Sequence, residues 1–117
     1  MEKQKLFQID FATNQEHSRI IDTLPEYTYG ERIVFLSDTT ILVTGGRAYG
    51  AAIPNTFEID VTSYECATKQ AMLSPREGHG MIKFYNVVYV FGGRVEVLSE
   101  GIKSAEMYNI SSDTWTN

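Results

Sequence analysis

Short apolar runs that end at a glycine pair set the hydrophobic pattern of this chain. Ile41 to Val43 leads to Gly45-Gly46, and Val87 to Phe91 leads to Gly92-Gly93. Runs that are rich in β-branched and aromatic residues and bounded by glycine are typical of strands buried on both faces. The pattern therefore predicts a buried strand before each glycine pair.

A second strand candidate lies upstream of each buried run. Arg32 to Leu36 and Gly80 to Phe84 are these candidates, and a polar pair, Asp38-Thr39 or Tyr85-Asn86, separates each from the next run. Short connections of this kind are typical of hairpins. Because no segment shows a convincing helical period, the sequence predicts an all-β fold.

Two markers recur along the chain with nearly the same spacing. The glycine pairs begin at positions 45 and 92, which are 47 residues apart. The segment Phe7 to Asp10 returns as Phe57 to Asp60 and, more weakly, as Glu106 to Asn109, in steps of 50 and 49 residues. A period of this size indicates stacked supersecondary units rather than one irregular domain.

Each unit is expected to hold four antiparallel strands, a to d, joined in a meander. Strand c ends at Asp60 or Asn109, and a polar turn then leads into strand d. Leu6 to Asp10 matches strand c of an earlier unit, and His17 to Ile21 matches its strand d. The predicted division is the c–d half of one unit at 1–23, a full unit at 24–70, and a unit with a truncated last strand at 71–117.

The unit at 71–117 resembles the kelch repeat. Its markers in chain order are an arginine and a histidine before strand a, the glycine pair after strand b, a tyrosine and an asparagine ending strand c, and a tryptophan opening strand d: Arg76, His79, Gly92-Gly93, Tyr108-Asn109 and Trp115. The first unit is more degenerate, since Arg32 stands in the place of His79 and Cys66 in the place of Trp115.

The resemblance implies antiparallel four-stranded blades of a kelch-type β-propeller. Such propellers usually close with about four to eight blades, so this chain is expected to form an incomplete ring. We therefore expect the remaining blades in a longer parent chain, or self-association.

The marker residues have physical roles that do not depend on the resemblance. A glycine pair at a strand end permits positive φ and close approach of a neighbouring backbone. Trp115 is expected to fill the space between blades, near Cys66 or the strands of 80–91, with an N–H that needs an acceptor. Asp60 and Asn109 are expected to bond the backbone of the turn that follows them.

Net charge limits the classes of partner, and cysteine content indicates the cellular compartment. The net charge of −5 and the pI near 4.9 oppose binding to nucleic acid or to an anionic membrane. The single cysteine, Cys66, excludes an internal disulfide framework and suits a reducing compartment. No run reaches the length of a membrane span, so we expect a soluble, cytoplasmic protein.

Candidate binding residues lie in the loops after strands b and d. The b–c loops cover 47–55 and 94–103 and the d–a loop covers 71–78, so Arg47, Arg76 and Arg94 are expected on one face of the ring. Arginines around such an axis can grip carboxylates or phosphates through bidentate hydrogen bonds. The alternative is structural: the same arginines bond local carbonyls and Glu77 or Glu96.

Apolar groups on these loops suggest recognition anchors. Tyr49 and Val97-Leu98 are the candidates, and Glu96 lies beside the second pair. Leu98 could equally pack beneath its own loop. Together with the arginines, these residues predict a surface for a protein or peptide partner.

The sequence holds little that points to catalysis. His17 and His79 lie on different units, and no His, Cys and Asp spacing resembles a metal set. The glycine pairs end strands without opening helices, which gives no support to nucleotide binding. We therefore expect no cofactor and a non-enzymatic interaction module, such as a substrate adaptor or cytoskeletal scaffold. The alternative is part of a kelch-propeller enzyme of the oxidase or sugar-epimerase type.

Overall fold

The computed structural model describes the backbone of residues 5–10, 15–20, 28–96 and 100–117, and the side chains of 29–96 and 100–117. Every regular element in these ranges is a β-strand, and every strand pair is antiparallel. The strands are β1 Lys5–Asp10, β2 Gln15–Ile20, β3 Thr28–Tyr29, β4 Arg32–Phe35, β5 Thr40–Thr44, β6 Arg47–Ala48, β7 Ala51–Ala52, β8 Thr56–Asp60, β9 Cys66–Lys69, β10 Gly80–Phe84, β11 Val87–Phe91, β12 Ala105–Asn109 and β13 Thr114–Thr116. The all-β prediction is confirmed.

Two four-stranded meanders form the body of the molecule. The first sheet has the order β4-β5-β8-β9 and the second has the order β10-β11-β12-β13. The glycine pairs follow β5 and β11, the second strand of each sheet, as the sequence predicted. These sheets do not close into a ring, so the predicted blade architecture of an incomplete ring is also confirmed.

The remaining strands form two smaller sheets. β1 and β2 pair antiparallel with Asp10 opposite Gln15, so β2 begins two residues before His17, where the second of these strands was predicted to begin. Ile21, predicted to end it, lies outside the described residues. β3, β6 and β7 form a three-stranded sheet. The sequence predicted a plain loop after Gly46, and this is wrong because the loop folds back on itself as the β6–β7 hairpin.

The main core lies between the two four-stranded sheets. Strand register places Leu42 on one side of the first sheet, where Val34 and Leu36 accompany it against the second sheet. The second sheet and the segment before it supply the rest of this cluster, which is Met72, Val88, Val90, Tyr108 and Trp115. A separate cluster on the far side of the first sheet contains Ile41, Val43, Phe57 and Ile59.

Trp115 lies at the seam between the sheets. Its side chain is 6% exposed, its ring centroid is 4.9 Å from that of Tyr108, and its Nε1–H donates to the Gln70 carbonyl at 2.8 Å. The predicted acceptor for the indole N–H is therefore present. Of the two predicted surroundings, the strands of 80–91 are correct, whereas Cys66 packs with the far cluster.

The turns after strand c form as predicted from their first residue. Asp60 Oδ1 accepts the amides of Thr62 at 2.8 Å and Ser63 at 3.0 Å, and Asn109 Oδ1 accepts the amide of Ser112 at 3.1 Å. These side-chain acceptors hold the chain reversal before strand d. No helix long and apolar enough to span a membrane occurs in the described part of the chain.

Candidate functional site

The glycine ends of the two sheets bring three connecting segments together. The Gly46 amide donates to the Arg76 carbonyl at 2.8 Å, which ties the first b–c connection to the d–a loop. Glu77 and Arg94 exchange two backbone hydrogen bonds, at 3.0 and 3.1 Å, which tie the same loop to the second b–c connection. The predicted loop residues therefore gather at one end of the molecule.

Glu77 is the centre of an ionic cluster that we call the loop clasp, made of Arg47, Glu77 and Arg94. Its Oε1 accepts the Nε–H of Arg47 at 3.0 Å and the Nε–H of Arg94 at 3.1 Å. Burial raises the pKa of the Glu77 carboxyl, but hydrogen bonds from the two arginines outweigh it and hold that pKa below its usual value. Two guanidinium groups and one carboxylate leave the clasp with one net positive charge.

Arg47 joins the two b–c connections through its other nitrogens. Nη1–H donates to the Gly50 carbonyl at 3.0 Å, and Nη2–H donates to the Val95 carbonyl. The Arg47 side chain is 3% exposed, whereas that of Arg94 is 50% exposed. Of the two arginines in the clasp, Arg94 is thus the one that faces solvent.

Arg76 forms a second, fully buried ion pair. Its Nη2 lies 3.0 Å from Oε2 of Glu106, and both side chains are 0% exposed. Nε also donates to Glu106, while the carbonyls of Gly92 and Ser104 and the Ser104 hydroxyl accept the remaining donors. The Arg76 guanidinium therefore donates its hydrogen bonds to acceptors inside the protein. This agrees with the alternative that the arginine has a structural role.

Glu106 is a partner of Arg76 that sequence reasoning missed. The sequence offered Glu77 or Glu96 as partners, and Glu77 does pair with Arg47 and Arg94. Glu106 instead takes Arg76 and accepts the amides of Leu73 at 2.6 Å and Ser74 at 3.1 Å. A signal was present, because Glu106 occupies the place that Phe57 holds in the first unit, and a charged residue in an apolar strand position indicates a buried pair.

The second unit shows this arrangement together with a recognisable sequence pattern. Residues 75–117 match the family model of the Kelch motif. This segment is a kelch repeat. No curated protein matches the chain. The matched range contains both halves of the Arg76–Glu106 pair and the seam residue Trp115.

Tyr49 is the predicted apolar anchor that lies within the described residues. It is 75% exposed and forms the two-residue turn of the β6–β7 hairpin with Gly50. Their φ values are 52° and 82°, which is typical of a type I′ turn. The hairpin therefore holds an aromatic side chain outward on a short, defined support beside the kelch repeat.

The remaining predicted site residues, Glu96 and Leu98, belong to the second b–c connection. Glu96 is exposed at the second b–c connection. Leu98 and Val97 lie outside the described residues, so their anchoring role stays a prediction. Arg47, Arg94 and Tyr49 are brought to the same connections, whereas Arg76 lies beneath them.

His79 of the kelch repeat is buried at the seam rather than exposed in a site. It is 1% exposed, and its Nε2 lies 2.8 Å from the Thr44 hydroxyl of the first sheet. Burial, followed by the charges of Arg32 and Arg76, lowers the pKa of His79 to about 4. Within the described residues, no three His, Cys, Asp or Glu side chains are grouped as metal ligands.

Proposed function

We propose that this chain is a non-enzymatic protein–protein interaction module that displays its b–c and d–a loops to a protein or peptide partner. The observation that carries the proposal is Tyr49, an exposed aromatic held at a hairpin tip above the loop clasp. Aromatic side chains in fixed positions supply large contact area with little loss of conformational entropy, and they dominate interface energies. Kelch motifs are typical of interaction modules, which supports the same conclusion.

The residues predicted from the sequence divide between two roles in this proposal. Tyr49, Arg94 and Glu96 would contact the partner, because each is exposed. Arg47 and Arg76 would hold the loops in place from below, because both are buried and hydrogen-bonded to backbone carbonyls. Leu98 stays a predicted anchor.

The charge of the clasp favours a particular chemistry in the partner. The guanidinium of Arg94, whose side chain is half exposed, suits a carboxylate. Tyr49 adds an apolar surface with a hydroxyl at its tip. The fitting ligand is an extended segment that carries an acidic side chain next to an apolar one, as a substrate adaptor or cytoskeletal scaffold would bind.

Selection from a displayed peptide library, followed by calorimetry on the enriched peptides, tests this function. Tyr49→Asn removes the ring yet keeps a type I′ turn, since Asn-Gly is favoured there. We expect this variant to weaken binding by about tenfold or more, which corresponds to roughly 1.4 kcal/mol. Arg94→Gln should weaken binding and reduce its dependence on salt.

Tyr85→Asn is the matched control. Tyr85 is 81% exposed and also has positive φ, at 54°, but it lies in the a–b turn at the opposite end of the second sheet. Binding should therefore be unchanged in this variant. Peptides that lose affinity with Tyr85→Asn and keep it with Tyr49→Asn would contradict the proposal.

A further inference from the structure

The β6–β7 hairpin leaves one edge of its small sheet open. In the order β3-β6-β7, β6 lies between its two neighbours, and no described strand pairs with the outer side of β7. Unpaired N–H and C=O groups at a sheet edge are a template for pairing with another extended segment. This edge lies beside Tyr49, the exposed aromatic residue at the tip of the same hairpin.

The strand register identifies the backbone groups that face outward. Ala51 lies opposite Ala48 at the two-residue turn, and the Ile53 amide donates to the Gly46 carbonyl at 2.9 Å. Inward-facing and outward-facing backbone groups alternate along an antiparallel strand. Ala52 lies between the two inward positions, so its N–H and C=O point away from β6. The described part of the chain provides no hydrogen-bond partner for either group.

The open edge is only one residue long. The next outward position is Pro54, which has no N–H, and its carbonyl accepts the Met72 amide at 2.8 Å. A proline at such a place stops strand pairing from spreading along the edge. Ala51 is exposed and Ala52 is half-buried, and their short side chains let another backbone come close. The edge is therefore suited to one short, defined contact.

We propose that the partner segment adds to the edge of β7 as an extended strand and exchanges two main-chain hydrogen bonds with Ala52. This inference rests on the proposed function and specifies how the same surface holds its peptide. Strand addition to an exposed sheet edge is a general mode of peptide recognition, in which main-chain bonds give affinity and alternate side chains give specificity. An extended backbone is the ligand that matches the N–H and C=O of a single residue.

An antiparallel segment in this register has a defined arrangement of side chains. Residues directly opposite each other project on the same side of a sheet, and Ala52 lies opposite Arg47. The partner residue opposite Ala52 therefore projects to the side on which Arg47 bonds Glu77, and this is the position for the acidic side chain. Two residues further on, the partner passes the hairpin tip, where an apolar side chain can contact Tyr49.

N-methyl analogues of the tightest peptide from the library selection, measured by calorimetry on the unaltered chain, test the inference. Each methyl group removes one amide donor. We expect affinity to fall at least about fivefold at one position, as the loss of a hydrogen bond implies, and to hold at its two neighbours, whose amides point away from β7. In an isotope-labelled chain, the unmethylated peptide should move the amide proton signal of Ala52 downfield, because this amide gains an acceptor.

Ala52→Pro tests the protein side of the same contact. It removes the outward N–H and keeps the hydrogen bonds between β6 and β7, since proline is tolerated where a strand N–H faces outward from an edge. It should weaken the peptide at least about fivefold. Ala52→Ser is the matched control, because it keeps the amide with a side chain of similar size, and it should bind like the unaltered chain. If circular dichroism shows that Ala52→Pro does not fold, the methylated peptides decide the question.

Two results overturn the inference: methylation that is harmless at every position of the peptide, or equal affinity for Ala52→Pro and Ala52→Ser. Both leave the proposed function standing when Tyr49→Asn still weakens binding, because the peptide is then held by its side chains alone. A chain that selects no peptide from the library contradicts the proposed function itself, and this inference with it.

Discussion

At the scale of single residues, the Arg76–Glu106 pair is the most deeply buried ionic interaction that the structure describes. Both side chains are 0% exposed, the amides of Leu73 and Ser74 donate to Glu106, and the Ser104 carbonyl accepts a hydrogen bond from Arg76. A buried pair of this kind adds little stability over an apolar replacement, but removing one partner leaves an uncompensated charge in the interior. The pair therefore fixes the position of the d–a loop under the kelch glycine pair.

Glu106→Gln should lower the free energy of unfolding by about 3 to 5 kcal/mol, because the Arg76 charge stays buried without its counterion. Chemical denaturation measures this change. Glu58→Gln is the control: Glu58 pairs with Lys69 at 3.7 Å and the two side chains are 34% and 30% exposed. Its effect should stay below about 1 kcal/mol. Equal effects for the two variants would show that Arg76 finds other compensation.

At the scale of elements, the glycine pairs end strands because other backbone passes very close to them. A Cβ on Gly93, which has φ of 82°, would lie 2.6 Å from the Glu77 carbonyl oxygen. A Cβ on Gly45, with φ of 65°, would lie 2.3 Å from the Arg76 carbonyl oxygen. Because neither glycine has a side chain, the backbone of the d–a loop, which contains Arg76 and Glu77, can pass close beside each of them.

Gly93→Ala should destabilise the chain by more than about 3 kcal/mol, since both positive φ and a backbone clash oppose the new methyl group. Gly78→Ala provides the comparison. Gly78 has φ of 63° but open space around its would-be Cβ, so only the conformational cost of about 1 to 2 kcal/mol applies. Thermal unfolding of the two variants distinguishes them, and similar melting temperatures would mean that the loop shifts freely.

The strands could be predicted from the sequence because their signals are local. Apolar runs, glycine pairs and turn residues such as Asp60 act within a few positions of where they stand. The β6–β7 hairpin was missed because Tyr49-Gly50 is an unusual pair for a type I′ turn, in which asparagine or glycine normally takes the first place. Glu106 was missed because its pairing with Arg76 joins strand c to a loop 30 residues earlier.

At the scale of the whole molecule, His79 helps to join the two sheets. Its ring meets Thr44 of the first sheet, and its backbone carbonyl accepts the Nε–H of Arg32 at 2.7 Å. Its Nδ1 is buried, with no hydrogen-bond partner among the described residues. The seam accommodates the neutral imidazole, since burial and then the two nearby arginines disfavour a further positive charge.

The free energy of unfolding should therefore fall as the pH drops from about 6.5 to about 4, because the unfolded chain binds a proton that folded His79 does not. The slope should approach about 1.4 kcal/mol per pH unit for one proton. Below about 4.5 the loss continues through Glu77, whose pKa is also lowered by folding.

His79→Gln, which can keep a hydrogen bond to Thr44, should flatten the upper part of this profile and leave the lower part. Denaturation curves collected across the pH range for both proteins provide the measurement. A wild-type profile that is level between pH 6.5 and 4.5, or one that the substitution does not alter, would show that the imidazole titrates freely in the folded chain.

The chain has a single tryptophan, and it lies at the seam. Its indole belongs to the buried cluster that contains Leu42 of one sheet and Val88 and Val90 of the other, with Tyr108 beside it. The intrinsic tryptophan fluorescence of the unlabelled protein therefore reports specifically on the contact between the two sheets. An emission maximum that moves to the red while the circular dichroism of the strands persists would mark sheets that have separated without melting, a state that needs no engineered dye to observe.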